Sequence, residues 1–312
     1  MARKRITKTT KNTLTFDVLY KNFIAEKKVM GLSESSIKSY EDAVKKFREF
    51  TSADLIDKPI VIDYIASLQQ QYSSVATINH HIRQIRAVIY YCFENGMDTE
   101  RFKIPTVKGQ EAVKIAYTDE ELRLLMQKPS DNCSFTEYRN WIIVQMLLGT
   151  GIRAASLLNI RLKDVCLTSK QLILAHTKNK KAQILPLSTS LCKSLKLYIS
   201  MYREQDCNDD SYLFPNVYNE QMNYNALRVT IGRYNMSRGV DKTSIHLFRH
   251  TFAKMFILNH GDAITLQKIL GHSSMEMTRR YVNLYSTDLS KDFDEYCPLE
   301  SFMPKSKKHA VR

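Results

Sequence analysis

Isoleucine and valine recur at Ile78, Ile82, Ile85, Val88 and Ile89, at steps that only a helix gathers onto one face. The stripe predicts a helix over about 73–94, closed by Asn95-Gly96. Three similar stripes precede it. Phe16, Leu19, Tyr20, Phe23 and Ile24 mark the first, and Ile37, Tyr40, Val44, Phe47 and Phe50 the second, opened by Ser33-Glu34-Ser35-Ser36. The third covers about 59–71 behind Pro59, a residue suited to a first helical turn. None of these stripes can bury its apolar side alone. Four helices with short connections therefore predict a small bundle over residues 12–102.

Pro105, Gly109 and the loss of helical period place a linker at 103–116. Thr118, with Glu121 three residues later, then opens a second domain over 117–297. Its expected helices are a long apolar one near Tyr138–Leu148, a short one from Arg153 to Asn159, and further ones near 188–205, 223–238, 246–259, 264–270, 274–283 and 288–296. Gln171–His176 and Ala182–Leu187 read as two strands joined by the polar turn Thr177-Lys178-Asn179-Lys180-Lys181. The fold class is thus mainly α with a small β-hairpin or sheet (α+β). A basic arm at 1–11 and a basic tail at 298–312 flank the two domains.

The formal net charge of +14, from 46 Lys and Arg against 32 Asp and Glu, points to an acidic partner, most often nucleic acid. Arg3, Lys4 and Arg5 in the arm, and His80, His81, Arg83 and Arg86 around the stripe of the fourth helix, are the candidate DNA contacts. For any one of them a solvated surface is the plainer explanation. The six cysteines, at 92, 133, 166, 192, 207 and 297, show neither zinc spacing nor a disulfide framework. Met1–Arg5 leads into a polar stretch rather than an apolar one, so no signal peptide is expected. With no apolar run of membrane-spanning length, the expected location is cytoplasmic, on DNA, with no membrane partner.

A second set of residues carries chemistry: Arg153, Lys178, His246, Arg249, His272 and Tyr281. Exchange of a phosphodiester without metal or ATP needs a nucleophile, cations for the charge on the non-bridging oxygens, and an acid for the departing oxygen. Tyrosine can conserve the bond energy as a phosphotyrosyl ester, and the planar fork of arginine binds phosphate while staying charged. Arg153 follows the helix break Thr150-Gly151-Ile152. His246 and Arg249 lie three apart in His246-Leu247-Phe248-Arg249-His250, hence on one helical face. His246 and His250 could together face a metal, but no Glu follows His246 and no third ligand is evident, so no metal is expected. Leu270-Gly271-His272 ends one helix, Ser273 and Glu276 form a capping box for the next, and Tyr281 comes nine residues after His272. Each motif alone is more often structural. Their conjunction in this order is what a structural explanation leaves unexplained.

In these contexts the chain resembles the tyrosine recombinases of the phage-integrase family along essentially its whole length. The resemblance implies that 12–102 is a core-binding DNA-binding domain and 117–297 the catalytic domain. It implies that Arg153 and Arg249 clamp the scissile phosphate, that His246 and His272 complete the pocket, and that Tyr281 forms a 3′-phosphotyrosyl link. Lys178 would protonate the 5′-oxygen; Lys180 and Lys181 are alternatives, because Thr177 and Asn179 replace the glycines of the family's Gly-Lys-Gly-x-Lys turn. Ser156 stands where the family usually has an acidic residue, three after the first arginine. The resemblance also implies double-stranded DNA core sites, a homotetramer on two such sites with helix 288–296 docking in trans, no cofactor, and room for an accessory DNA-bending protein. A site-specific recombinase serving a mobile element as integrase or transposase is the expected function. A type IB topoisomerase, disfavoured by the short helical first domain and the C-terminal helix, and a non-catalytic DNA-binding protein on the same fold are the alternatives.

Overall fold

The apolar stripes fold as helices in the computed structural model, which describes residues 14–109, 115–174, 182–203, 207–272 and 274–285. Contacts along the chain divide it into two units, Met1–Val113 and Lys114–Arg312.

In the first unit, α1 (Phe16–Val29), α2 (Glu34–Phe50) and α3 (Lys58–Gln71) pack on α4 (Val75–Glu94). Ser33, Asp57 and Ser74 each accept a backbone N–H three residues on, satisfying donors that the first turns of α2, α3 and α4 would otherwise strand. Phe16, Phe23, Phe47, Tyr64, Ile82 and Ile85 fill the core, with Phe47 edge-on to Tyr64 at 4.9 Å. Phe50, at the last residue of α2, reaches the rim and stays 40% exposed. The start of the segment read as a linker is docked on this bundle. Ile104 is buried, and Val107 exchanges two 2.8 Å hydrogen bonds with the Asn79 side chain.

In the second unit, α5 (Asp119–Met126) starts at the capping box of Thr118 and Glu121. The long helix α6 (Phe135–Thr150) is buried on nearly every side, as its apolar composition requires. It packs against α5, α8 (Thr189–Tyr202), α9 (Tyr224–Ser237) and α10 (Ile245–Leu258). Between α7 (Ala154–Leu157) and α8 lies an antiparallel sheet of β1 (Val165–Cys166), β2 (Gln171–Leu174) and β3 (Gln183–Pro186). Leu172 pairs with Leu185, and both turn into the core. The sequence predicts two of these strands; β1 is the addition. The turn between β2 and β3, with Lys178, Lys180 and Lys181, lies outside the described residues. Helices α11 (Ala263–Leu270) and α12 (Met275–Tyr285) pack against each other and against α10. No described helix is long and apolar enough to cross a membrane.

Candidate active site

Two left-handed glycines set the pocket. Gly151 ends α6 at φ 61°, where a Cβ would come within 2.5 Å of Phe252 and 2.8 Å of Leu270. The chain turns there and delivers Arg153 to the start of α7. Gly271 ends α11 at φ 58° and leaves His272 as the first residue beyond it. Both breaks leave backbone carbonyls that no helical N–H can satisfy.

The two arginines take those carbonyls. Arg249, buried on α10, donates from Nη1 to Gly151 O and from Nη2 to Leu270 O, each at 2.7 Å. Arg153, half-buried, donates from Nη2 to Gly271 O at 2.8 Å. Burial, reinforced by the neighbouring positive charge of Arg153, brings Arg249 down to about 10, with Tyr281 opposing; burial also lowers Arg153. Both remain cations at neutral pH. Among the described residues no carboxylate pairs with either. Carbonyl dipoles orient the guanidinium groups without cancelling their charge, which leaves them suited to an anion. Ser156, where the resemblance implies an acidic residue, lies buried in α7, and the described hydrogen bonds of the two guanidinium groups go to three backbone carbonyls.

His272 hydrogen-bonds through Nδ1 to Oγ1 of Thr278, fully buried on α12, at 2.9 Å. Burial, then the charges of Arg249 and Arg153, then His250, push its imidazole down to about 4, so it is neutral at pH 7. Its ring lies parallel to that of Tyr281, with centroids 6.4 Å apart. Tyr281, on α12, places its hydroxyl 2.9 Å from Nδ1 of His250 on α10. His246, on α10 three residues before Arg249, is exposed.

The structure therefore brings Arg153, Arg249, His272 and Tyr281 around the end of α11. It adds residues that the sequence pattern did not assign to the pocket: His250 at the tyrosine hydroxyl, Thr278 on His272, and Gln183, whose Nε2 donates to Lys268 O and Ile269 O at 2.7 Å each. His250 sits beside Arg249 in sequence, a doublet that could have drawn attention. Thr278 and Gln183 carry no local signal, because their partners become visible only in the fold. Lys178, the Ser273 cap, helix 288–296, the basic tail, and Arg3, Lys4 and Arg5 lie outside the described residues.

The candidate DNA contacts of α4 separate. His80 and Arg83 are exposed, Arg86 is half-buried, and His80 pairs with Ser39 at 3.2 Å. His81 instead turns inward. Its ring stacks on Tyr72 at 5.3 Å, its Nδ1 is buried with no hydrogen-bond partner, and burial lowers its pKa. It lies three residues after Ile78 and four before Ile85, within the apolar arc of its helix.

The model of the phage integrase family matches residues 116–287. The chain is 26% identical to the tyrosine recombinase XerD of Staphylococcus haemolyticus over 290 residues, covering 89% of this chain and 97% of the relative. It is likewise 26% identical over 290 residues to the tyrosine recombinase XerC of Thermodesulfovibrio yellowstonii, covering 89% and 95%. Among solved structures, the Tn1549 transposon integrase in complex with a circular intermediate DNA has the same fold, with a TM-score of 0.71 at 17% identity, covering 86% of this chain and 95% of that one. With the family model spanning more than half of its length, the chain belongs to the phage integrase family and is a tyrosine recombinase, an enzyme that cuts and rejoins DNA strands.

Proposed function

We propose that this protein is a site-specific recombinase in which Tyr281 attacks a scissile phosphate held by Arg153 and Arg249. The supporting observation is the convergence of two arginines, neither paired with a described carboxylate, and a tyrosine around one helix end. The Tyr281 oxygen bonds to phosphorus as the bond from phosphorus to the 5′-oxygen breaks. The tyrosine proton passes to His250, and Lys178 protonates the departing 5′-oxygen. A 3′-phosphotyrosyl ester results, and the 5′-hydroxyl of a second strand reverses the step. One phosphoester replaces another, so the exchange is close to balanced and the chemistry calls for no ATP. His246 and neutral His272 complete the pocket, as hydrogen-bond partners for the phosphate.

The first unit, taken as the core-binding domain at 12–102, would hold duplex DNA through phosphates. The arm residues Arg3, Lys4 and Arg5 and the helix residues His80, Arg83 and Arg86 are its proposed contacts. Affinity should fall with log salt at a slope of about −0.9 per neutralised phosphate. A homotetramer on two core sites, with 288–296 docking in trans and an accessory DNA-bending protein admitted, belongs to the same proposal. Service to a mobile element draws on the likeness to a transposon integrase, whereas the curated relatives carry the names XerD and XerC. Strand exchange between two target sites is the step common to both roles.

The test is covalent capture. A pool of nicked duplexes with a randomised core is incubated with the protein, denatured, and the protein-linked DNA sequenced. A shared core sequence joined through its 3′ end supports the proposal. Absence of linked DNA, or linkage with no shared sequence, contradicts site-specific recombination.

A further inference from the structure

The last carbonyls of a helix have no partner within it. At the end of α11 four in succession accept from three side chains, the first of them, Lys268 O, also accepting the backbone N–H of Gly271 at 3.1 Å. Gln183 takes Lys268 O and Ile269 O, Arg249 takes Leu270 O, and Arg153 takes Gly271 O. The glutamine thus stands on the same helix end as both phosphate-binding arginines. It is packed tightly there. A Cβ built on Gly271 would lie 3.1 Å from its Oε1 and 3.4 Å from Nη1 of Arg153.

Gln183 also belongs to β3, paired with Leu174 at the end of the β2–β3 ladder next to the segment that connects the two strands. The chain reaches it directly from the turn that carries Lys178, five positions earlier. Its backbone is therefore tied to the lysine turn and its side chain to the arginine pocket. We propose that Gln183 is a positioning residue that registers the lysine turn against the two arginines, so that acid and clamp meet at one phosphate. The proposal rests on the recombinase chemistry above, with the acid on that turn.

A helix cap that only added stability would, when removed, lower cleavage alike on every substrate. Registration makes a different demand. The Gln183→Leu protein should bind a nicked target duplex within a few-fold of the parent protein. Its covalent attachment should fall by up to roughly 100-fold, the cost of misplacing a catalytic group by about 1 Å. On a duplex whose 5′-bridging oxygen is replaced by sulfur, the leaving group needs no acid, and the deficit should shrink to a few-fold. Gln183→Arg, which keeps two N–H donors for the two carbonyls, should restore attachment on the ordinary duplex. If the Leu protein fails to fold by thermal melting, Gln183→Glu, equal in size without the amide donors, is read on the same two substrates. Parent-like attachment on the ordinary duplex, or an equal deficit on both, would overturn the proposal. Lys178→Ala and Lys181→Ala are run beside it. If one lysine protein is rescued by sulfur and the glutamine variant is not, only the proposal fails. If neither lysine protein is rescued, the turn does not hold the acid, and the proposal falls with that assignment.

Discussion

The hydroxyl of Tyr281 on α12 lies 2.9 Å from Nδ1 of His250 on α10, a residue next in sequence to the buried Arg249. The helix that buries one proposed phosphate ligand thus also brings an imidazole nitrogen to the proposed nucleophile, where its neutral form with Nδ1 unprotonated can accept a proton. A phenol attacking phosphorus must lose its proton, and a positioned base at hydrogen-bond distance makes that loss part of the step.

His250→Ala should therefore slow covalent attachment by about 100-fold or more, the usual scale of a general base, while non-covalent DNA affinity stays within a few-fold. Rapid-quench measurement on a nicked duplex decides it. Attachment at the parent rate would remove His250 from the reaction.

Arg153 and Arg249 should separate by their effect on folding. Removing either preorganised cation should cost on the order of 100- to 1000-fold in cleavage. Arg249→Ala also strands Gly151 O and Leu270 O in the interior, at a cost of about 1–3 kcal/mol for an unsatisfied buried group. Arg153, half-buried with one carbonyl, should cost less stability on truncation. Thermal melting should place Arg249→Ala clearly below Arg153→Ala. The reverse order would contradict the burial described here.

His272 gives a pH signature. Its pKa falls from 6.5 to about 4 on folding, so between these values the unfolded chain binds the proton more readily. The contribution is fully present above about pH 6.5 and is lost as pH falls toward 4. The melting-temperature difference between the parent protein and His272→Asn should shift against the parent across that window. A difference independent of pH would mean that the imidazole is not held neutral.

Much of this site is written locally in the chain, and the rest depends on contacts far apart in sequence. Gly151 and Gly271 mark helix ends because each must take a positive φ, and the arginine and histidine just beyond them are legible for that reason. The stripe of α4 likewise announces its buried face, and His81 falls within that apolar arc, where its ring packs on Tyr72; residue type alone places it on the basic edge. β1, only two residues long, is too short to show alternation. The pairing of Tyr281 with His250 spans 31 residues and that of Gln183 with the end of α11 spans 85 and 86, so no local pattern encodes either.

The most direct measurement is covalent capture by the Tyr281→Phe protein on a nicked duplex. Loss of the hydroxyl should leave DNA affinity within a few-fold and abolish the phosphotyrosyl adduct, while the parent protein accumulates it. Recovery of the adduct from the Phe protein would show that another residue attacks the phosphate and would contradict the assignment of Tyr281.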